Sequence, residues 1–186
     1  MDIDDKDDKT VIRHAGPEDA ASIARIHRDS RAATMPYLPP QQHTPDEVAW
    51  WIREVVLREC RTWVAVRGTE TAGYAAVKGE MLEHLYLRPD LRRRGIGTLL
   101  LDAVKRHASG GVSLHVFQQN TGARAFYERH GFTVVDTSDG SRNMEALPDM
   151  TLRWEPDVTA SGGAAKAPRG CPHGATDLRP SADLHP

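Results

Sequence analysis

The stretch Leu85-Tyr86-Leu87-Arg88-Pro89-Asp90-Leu91-Arg92-Arg93-Arg94-Gly95-Ile96-Gly97-Thr98 joins the end of an apolar strand to an Arg- and Gly-rich turn and an amphipathic helix. At such a junction, free backbone N–H groups and the positive end of a helix dipole point at one spot. Gly95 and Gly97 would let a phosphate approach the backbone, and three consecutive arginines supply charge. The stretch predicts an anion site suited to a pyrophosphate, with a solvated arginine turn as the alternative. It lacks the Walker and dinucleotide-binding glycine patterns.

Hydrophobic periodicity on either side of this stretch alternates between the spacing of strands and that of helices. Strands are predicted at 10–13, 63–66, 73–77, 82–87, 112–117, 132–135 and 150–154. Helices are predicted to start near Pro17, Pro45, Gly95 and Asn120. The sequence therefore predicts an α/β (α+β) domain in which a mixed central sheet of six to seven strands is flanked by about four helices.

The second of these helices has a clear start signal. Thr44-Pro45-Asp46-Glu47 forms a capping box with proline at the first helical position. Helical spacing then predicts a buried stripe of Val48, Trp51, Ile52 and Val55. Trp50 falls about 100° away from that stripe.

Composition excludes several classes of protein. The chain has 186 residues with 24 Lys and Arg against 26 Asp and Glu, so no overall positive field favours nucleic acid or an anionic membrane. No apolar run reaches the roughly 18 residues of a membrane span, and the acidic start is unlike a signal or transit peptide. We therefore expect a cytoplasmic protein without nucleic-acid or membrane partners. Cys60 and Cys171 form no C-x-x-C pair, which argues against a disulfide framework or a cysteine zinc site.

The two ends of the chain differ from its middle. Residues 1–10 contain five Asp and two Lys, and residues 156–186 are rich in Ala, Gly and Pro and contain no aromatic side chain. Such segments bury too little apolar surface to offset chain entropy. We predict a disordered leader over 1–10, a folded domain over 11–155 and a disordered tail over 156–186. Cys171 and His173 in the tail are too few for a tetrahedral site, so no metal is expected.

Two motifs give this sequence a family resemblance. Arg92-x-x-Gly95-x-Gly97 after the strand Leu85-Tyr86-Leu87 resembles the acetyl-CoA signature of the GCN5-related N-acetyltransferases (GNAT). The second signature of that family is similar to Asn120-Thr121-Gly122-Ala123-Arg124-Ala125-Phe126-Tyr127-Glu128-Arg129-His130-Gly131-Phe132. The resemblance covers 11–154, and the segment 139–149 is similar to a branch of bacterial small acetyltransferases.

The resemblance implies a coenzyme site. In the GNAT fold two parallel strands, here 82–87 and 112–117, splay apart, and the pantetheine arm of acetyl-CoA lies between them. Main-chain groups of Leu85 and Leu87 would bind the pantetheine and the thioester, and N–H groups from 93–98 would bind the pyrophosphate. Asn120 would both cap its helix and reach the coenzyme. The implied coenzyme-binding residues are Leu85, Tyr86, Leu87, Arg92, Arg93, Arg94, Gly95, Ile96, Gly97, Thr98, Asn120 and Tyr127.

The resemblance also supplies a candidate general acid. Acyl transfer from a thioester to an amine needs a neutral amine, a stabilised oxyanion and, preferably, a proton for the departing thiolate. Tyr127 occupies the position at which the family places a hydroxyl beside the sulfur, and a phenol is protonated at neutral pH. The alternative is that Tyr127 only packs with Phe126 and Phe132.

The family does not fix the general base. The candidates, in order, are Glu83, His84 and His115, and an ordered water chain would need none of them. Glu83 and His84 are neighbours on a strand, so at most one is expected to face the substrate. Relatives that act on protein N-termini often carry Glu at the position of His115, which argues against such an acceptor. A ping-pong route through Cys60 is disfavoured because no His or Asp motif accompanies that thiol.

The N-terminal helices and their loop are expected to form the acceptor pocket. Its candidate residues are His27, Arg31, Met35, Tyr37 and Trp50. An aromatic wall with few acids favours a small amine that has an apolar or neutral portion. The sequence thus predicts an acetyl-CoA-dependent N-acetyltransferase that acts on a small-molecule amine by direct attack in a ternary complex. The alternatives are acetylation of a protein N-terminus or lysine, and a non-catalytic acyl-CoA sensor; a homodimer stays open.

Overall fold

The computed structural model describes residues 9–156, so residues 1–8 and 157–186, which hold most of the predicted leader and tail, lie outside the described part. The strands are β1 (Thr10–His14), β2 (Arg61–Arg67), β3 (Glu70–Lys78), β4 (Met81–Leu87), β5 (Val112–Phe117), β6 (Thr133–Ser138) and β7 (Asp149–Trp154). The helices are α1 (Ala20–Thr34), α2 (Pro45–Trp51), α3 (Leu57–Glu59), α4 (Ile96–His107) and α5 (Thr121–Arg129), and a π-helical turn (Ile52–Val56) joins α2 to α3 in one helical segment. Short 3₁₀ turns lie at Pro17–Asp19 and Pro89–Leu91.

A seven-stranded mixed sheet forms the centre of the molecule, in the order β1-β2-β3-β4-β5-β7-β6. Every neighbouring pair is antiparallel except β4 and β5. These two parallel strands share a single registered pair, Met81 with Ser113, and diverge beyond it. The predicted fold class and its splayed strands are confirmed.

Helices cover both faces of the sheet. One core, which contains Leu100 and Leu114, lies between the sheet and α4 with α5. The other, which contains Ile23 and Ile52, lies between the sheet and the helices from α1 to α3. Among the helices of the described region, none is long and apolar enough to cross a membrane.

The π-helical turn corrects one prediction. Val48 and Ile52 are buried as expected, but Val56 takes the place predicted for Val55, which is only partly buried. A π turn holds more residues than an α turn, so it advances the buried stripe by one position. Periodicity alone assumes an uninterrupted α-helix and misses this shift.

A β-bulge lies in β4. Ala76 pairs with His84 and Val77 pairs with Leu82, so Glu83 is the extra residue that has no partner on β3. The bulge changes the phase of the side chains along the strand. As a result, Leu82 faces the α4 core, whereas His84, two residues later, faces the α1 side.

Candidate active site

A large open cleft lies where β4 and β5 diverge. Its walls are β4, β5, the C-terminal half of α1, the start of α4, the helix α5 and the β6–β7 connection. Its volume is about 1210 Å³. Because small-molecule pockets usually span roughly 300–1,000 Å³, the cleft has room for a coenzyme and a second, smaller substrate.

The predicted anion turn lies at one end of this cleft. Gly95 caps α4 with a φ of +79°, and Arg93 has a φ of +61°. Arg92 and Arg93 line the cleft, and within residues 9–156 neither pairs with a carboxylate. Two unpaired cations next to the free N–H groups of a helix start form a site for an anion.

The structure divides the predicted coenzyme residues into two groups. Those that line the cleft are Leu85, Tyr86, Leu87, Arg92, Arg93, Gly95, Gly97, Thr98, Asn120 and Tyr127. Arg94 and Ile96 do not line it, and Ile96 is buried in the α4 core.

Gly97 has a packing role that the sequence did not predict. An added Cβ would lie 3.3 Å from Cζ of Phe126 and 3.5 Å from Cδ1 of Leu87. The absence of a side chain therefore lets α4 approach α5 closely. The expectation that Gly97 only opens the backbone to a phosphate is incomplete, since a side chain there would first disturb this helix contact.

Asn120 and Tyr127 lie on α5. The Asn120 Oδ1 accepts a hydrogen bond from the Ala123 N–H at 3.2 Å, as expected for a helix cap. The Tyr127 ring packs edge-on against Phe126 and Phe132, at centroid distances of 5.2 and 5.5 Å. Burial, with a smaller effect of Tyr86, raises the pKa of Tyr127 well above its usual value. The phenol is therefore protonated at neutral pH and able to donate a hydrogen bond.

His130 is a cleft residue that sequence reasoning missed. Its Nδ1 lies 2.7 Å from the Phe126 carbonyl oxygen, so Nδ1 carries the proton and donates it. In the neutral ring, Nε2 then accepts from the Thr98 hydroxyl at 3.0 Å. This pair joins the first turn of α4 to the end of α5. Its position within the second motif was visible in the sequence, but its partner was not.

All three candidate bases line the cleft. The bulge lets both Glu83 and His84 do so, which corrects the expectation that only one would face it. Burial raises the pKa of Glu83, against a smaller opposing effect of Lys78. Burial lowers the pKa of His84 to about 4, and the His84 Nδ1 has no hydrogen-bond partner in the described structure. His115 is exposed, with its Nδ1 3.1 Å from the Thr151 hydroxyl. Glu83 is thus a stronger base toward an ammonium than His84.

The predicted acceptor residues are only partly brought together. His27, Arg31 and Met35 line the cleft. Trp50 does not: 57% of it is exposed, and the neighbouring Trp51 lines the cleft instead. The structure does not bring Trp50 to the cleft, because the stripe of the helix that includes Trp51 turns Trp50 to the solvent. Tyr37 lies just behind the wall, with its ring 6.1 Å from that of Phe117.

A cluster of rings supports the acceptor side of the cleft. His27 shares a 2.7 Å hydrogen bond with the Tyr74 hydroxyl, and its ring lies 4.9 Å from that of Tyr86. The rings of Trp51 and His84 lie edge to face, with their centroids 5.5 Å apart. Burial, with a smaller effect of His84, lowers the pKa of His27 well below its usual value. His27 is therefore a neutral, hydrogen-bonded part of the wall.

Acidic residues reach the cleft from the β6–β7 connection and from the start of β7. Glu145 and Asp149 line it together with Glu83, which corrects the expectation of few acids. The Asn143 side chain fixes this connection, because it donates to the Leu147 carbonyl oxygen at 2.8 Å and accepts from the Leu147 N–H at 3.2 Å. The sequence contained the acids, but no local pattern indicated where the loop would fold.

Cys60 does not line the cleft. Burial, with a smaller effect of Glu83, raises its pKa to about 11. A thiol with such a pKa is a poor nucleophile at neutral pH, because the thiolate is the reactive form. Within residues 9–156, no group of three or more His, Cys, Asp or Glu side chains could hold a metal ion.

Comparison with known proteins identifies related chains. Residues 23–132 match the sequence model of the acetyltransferase (GNAT) family. The chain is 32% identical over 132 residues to the peptidyl-lysine N-acetyltransferase YjaB of Salmonella typhimurium, which covers 69% of this chain and 86% of that protein. It is 44% identical over 70 residues to the spermidine N(1)-acetyltransferase of Thermoplasma acidophilum, which covers 36% of this chain and 42% of that protein. The solution structure of apo YjaB from Escherichia coli superposes with a TM-score of 0.64 at 26% identity and covers 78% of this chain and 97% of that one.

Proposed function

The chain belongs to the acetyltransferase (GNAT) family and is an N-acetyltransferase, and we propose that it transfers the acetyl group of acetyl-CoA to the amine of a small molecule by direct attack in a ternary complex. One observation carries the proposal. A single cleft is lined by an unpaired basic turn, a buried protonated phenol and a half-buried carboxylate. These are the groups that thioester aminolysis needs.

The chain's own residues fit acetyl-CoA. Arg92, Arg93 and the N–H groups at the start of α4 bind the pyrophosphate. The gap beyond the pair Met81–Ser113 receives the pantetheine arm, which binds main-chain groups of Leu85 and Leu87. Asn120 keeps its amide nitrogen for the coenzyme while its oxygen caps α5.

Glu83 is the proposed base for the acceptor amine, and Tyr127 is the proposed acid for the departing thiolate. Glu83 attracts the acceptor ammonium and takes a proton from it, directly or through water, because burial raises the pKa of this carboxylate. The neutral amine then forms the C–N bond as the C–S bond breaks, and the nitrogen loses its second proton, which balances the proton that the sulfur gains. Tyr127 donates a hydrogen bond to the departing sulfur and transfers its proton when the thiolate forms. The order of the other two candidates is reversed: His115 becomes the second choice for the base and His84 the third, because of the low pKa of His84.

A protein lysine is the second candidate acceptor. The relative that matches along 86% of its length is named a peptidyl-lysine N-acetyltransferase. The small-molecule assignment is supported by the ring wall of the cleft and by the relative named a spermidine acetyltransferase, which matches over a shorter stretch. The two candidates differ in whether a free amine is sufficient or a peptide around it is required.

The proposal is tested by replacing Tyr127 with Phe and measuring release of the coenzyme thiol over a library of free amines and lysine peptides. Because Y127F keeps the ring and loses only the hydroxyl, we expect the turnover rate to fall by about 100-fold while affinity for acetyl-CoA stays the same. Calorimetric titration and thermal unfolding of the same variant serve as controls. Turnover within twofold of the parent would remove Tyr127 from the mechanism, and thiol release with lysine peptides alone would select the second candidate.

A further inference from the structure

Arg31 is a charged residue of the cleft that the reaction outlined above does not use. It lies on the C-terminal half of α1, lines the cleft and is partly buried. Throughout residues 9–156, no carboxylate lies within ion-pair distance of its guanidinium. A cation held partly out of water without a counter-charge costs free energy, and such residues commonly mark binding sites. The basic turn of the coenzyme site lies on a different element, so Arg31 is not one of its arginines.

The surroundings of Arg31 are polar and incompletely satisfied. Burial raises the pKa of both Tyr37 and Tyr86, and the positive charge of Arg31 opposes that rise in each case. The charge of the guanidinium therefore acts on both phenols. The Tyr37 hydroxyl is buried without a hydrogen-bond partner among the described residues. An unpaired guanidinium on the cleft wall favours an oxygen anion as its partner.

Carboxylates line the same cleft from other elements. Glu145 of the β6–β7 connection lines it, and its charge adds to the effect of burial in raising the pKa of the Tyr86 phenol, which the charge of Arg31 opposes. Glu83 and Asp149 add negative charge to the same cleft. The cleft thus holds an unpaired guanidinium and several carboxylates, a charge distribution that complements a zwitterion.

We propose that the acceptor is a free amino acid and that Arg31 binds its carboxylate while its amine faces the acidic wall. This inference rests on the proposed function and specifies its substrate. In the transfer, the ammonium first gives one proton to the base, and the neutral nitrogen then forms a bond to the acetyl carbon and loses a second proton, which balances the proton given to the sulfur. The C–S bond breaks, the thiolate takes up a proton, and the product is an N-acetyl amino acid that keeps its carboxylate. Arg31 remains a specificity residue, because it touches the substrate away from the reacting atoms.

The experiment compares amino acids with their carboxamides, which keep the amine and the side chain but lose the negative charge. For the parent protein we expect kcat/KM, followed by thiol release from acetyl-CoA, to be at least tenfold higher for the best amino acid than for its carboxamide. R31Q should reduce this ratio to about twofold or less, chiefly by lowering kcat/KM for the amino acid. R31K should restore part of the preference, because it restores the charge without the planar fork. R25Q, at an exposed arginine on the same helix that does not line the cleft, should keep the full ratio.

Failure of the inference and failure of the proposed function give different results. Acetylation of carboxamides and simple amines without a preference for the carboxylate overturns the inference and leaves the proposed function intact. Absence of thiol release with every amine, from a protein that binds acetyl-CoA, overturns both. Weaker binding of acetyl-CoA to R31Q, with the carboxylate preference retained, would assign Arg31 to the coenzyme and also overturn the inference.

Discussion

At the scale of the single residue, burial decides which side chains of the cleft carry charge. His84 is 5% exposed and His27 is 3% exposed, and burial lowers the pKa of both imidazoles. The same effect raises the pKa of Glu83, which lies next to His84 in the chain. Desolvation always disfavours the charged form, so it makes the carboxylate a better base and the imidazole a poorer one. This is the physical reason for ranking Glu83 before His84.

The low pKa of His84 predicts a pH-dependent stability. Its pKa is about 4 in the folded protein against an ordinary 6.5, so the unfolded chain binds more protons between these two values. Its stabilising contribution is fully present above about pH 6.5 and is lost as the pH falls toward 4. We expect the free energy of unfolding by urea to fall between pH 7 and pH 5, with about 2 kcal/mol of that loss due to His84. His27, which has a lowered pKa too, adds a loss of the same sign.

His84→Gln isolates this contribution, since glutamine does not titrate. The variant should lose about 2 kcal/mol less than the parent between the two pH values. His14→Gln, at an exposed histidine, is the matched control and should behave like the parent. An equal loss in the parent and in His84→Gln would contradict the assignment.

At the scale of the element, two irregularities and one close contact shape the cleft. The π turn after α2 advances the buried stripe to Val56, and the bulge at Glu83 lets consecutive residues of β4 line the same cleft. The close contact is that of α4 with α5, where Gly97 meets Phe126 and the Thr98–His130 hydrogen bond lies nearby. The coenzyme turn and the helix that carries Tyr127 are thereby held as one unit.

Replacing either of two glycines on these helices should change the stability of the protein, in opposite directions. Gly97→Val should destabilise the coenzyme-free protein by about 1–3 kcal/mol, because the new side chain must displace the Phe126 ring. Gly122→Ala should stabilise it by about 0.5 kcal/mol, because no described atom lies within 4 Å of the new methyl and alanine favours the helix. Thermal unfolding of both variants checks this pair. A Gly97→Val variant with unchanged stability and weaker binding of acetyl-CoA would instead indicate that Gly97 only makes room for a phosphate.

At the scale of the whole molecule, two cores on opposite faces of one sheet leave the cleft between the diverging strands. The described domain ends just after β7, whose residues Leu152 and Met150 pack in the α4 core. Residues 157–186 lie outside the description, and their composition offers few apolar side chains for docking. We propose that the chain can be divided after Pro156 without loss of the fold.

A chain that ends at Pro156 tests this division. Its midpoint of thermal unfolding and its affinity for acetyl-CoA should both match those of the full chain, because the removed residues bury too little apolar surface. Differential scanning calorimetry and isothermal titration of the two chains measure these quantities side by side. A large loss of either one would mean that the tail packs on the domain or covers the cleft.

The sequence by itself determined the order of helices and strands, the basic turn before α4 and the cap at Asn120. These features depend on hydrogen bonds and hydrophobic spacing within a few residues, so they can be read from a short stretch of chain. The family resemblance added the place of the coenzyme. Periodicity also gave correct core positions wherever the helix or strand is regular, as at Val48 and Ile52.

Only the tertiary structure decided how distant residues meet. It moved the buried position from Val55 to Val56, let both Glu83 and His84 line the cleft and brought Glu145 to that cleft. These outcomes depend on a π turn, a bulge and the fold of a loop, whose causes lie in packing between elements far apart in sequence. The pKa of His84 belongs to the same group, because desolvation arises only when α1, α2 and the sheet close around the ring.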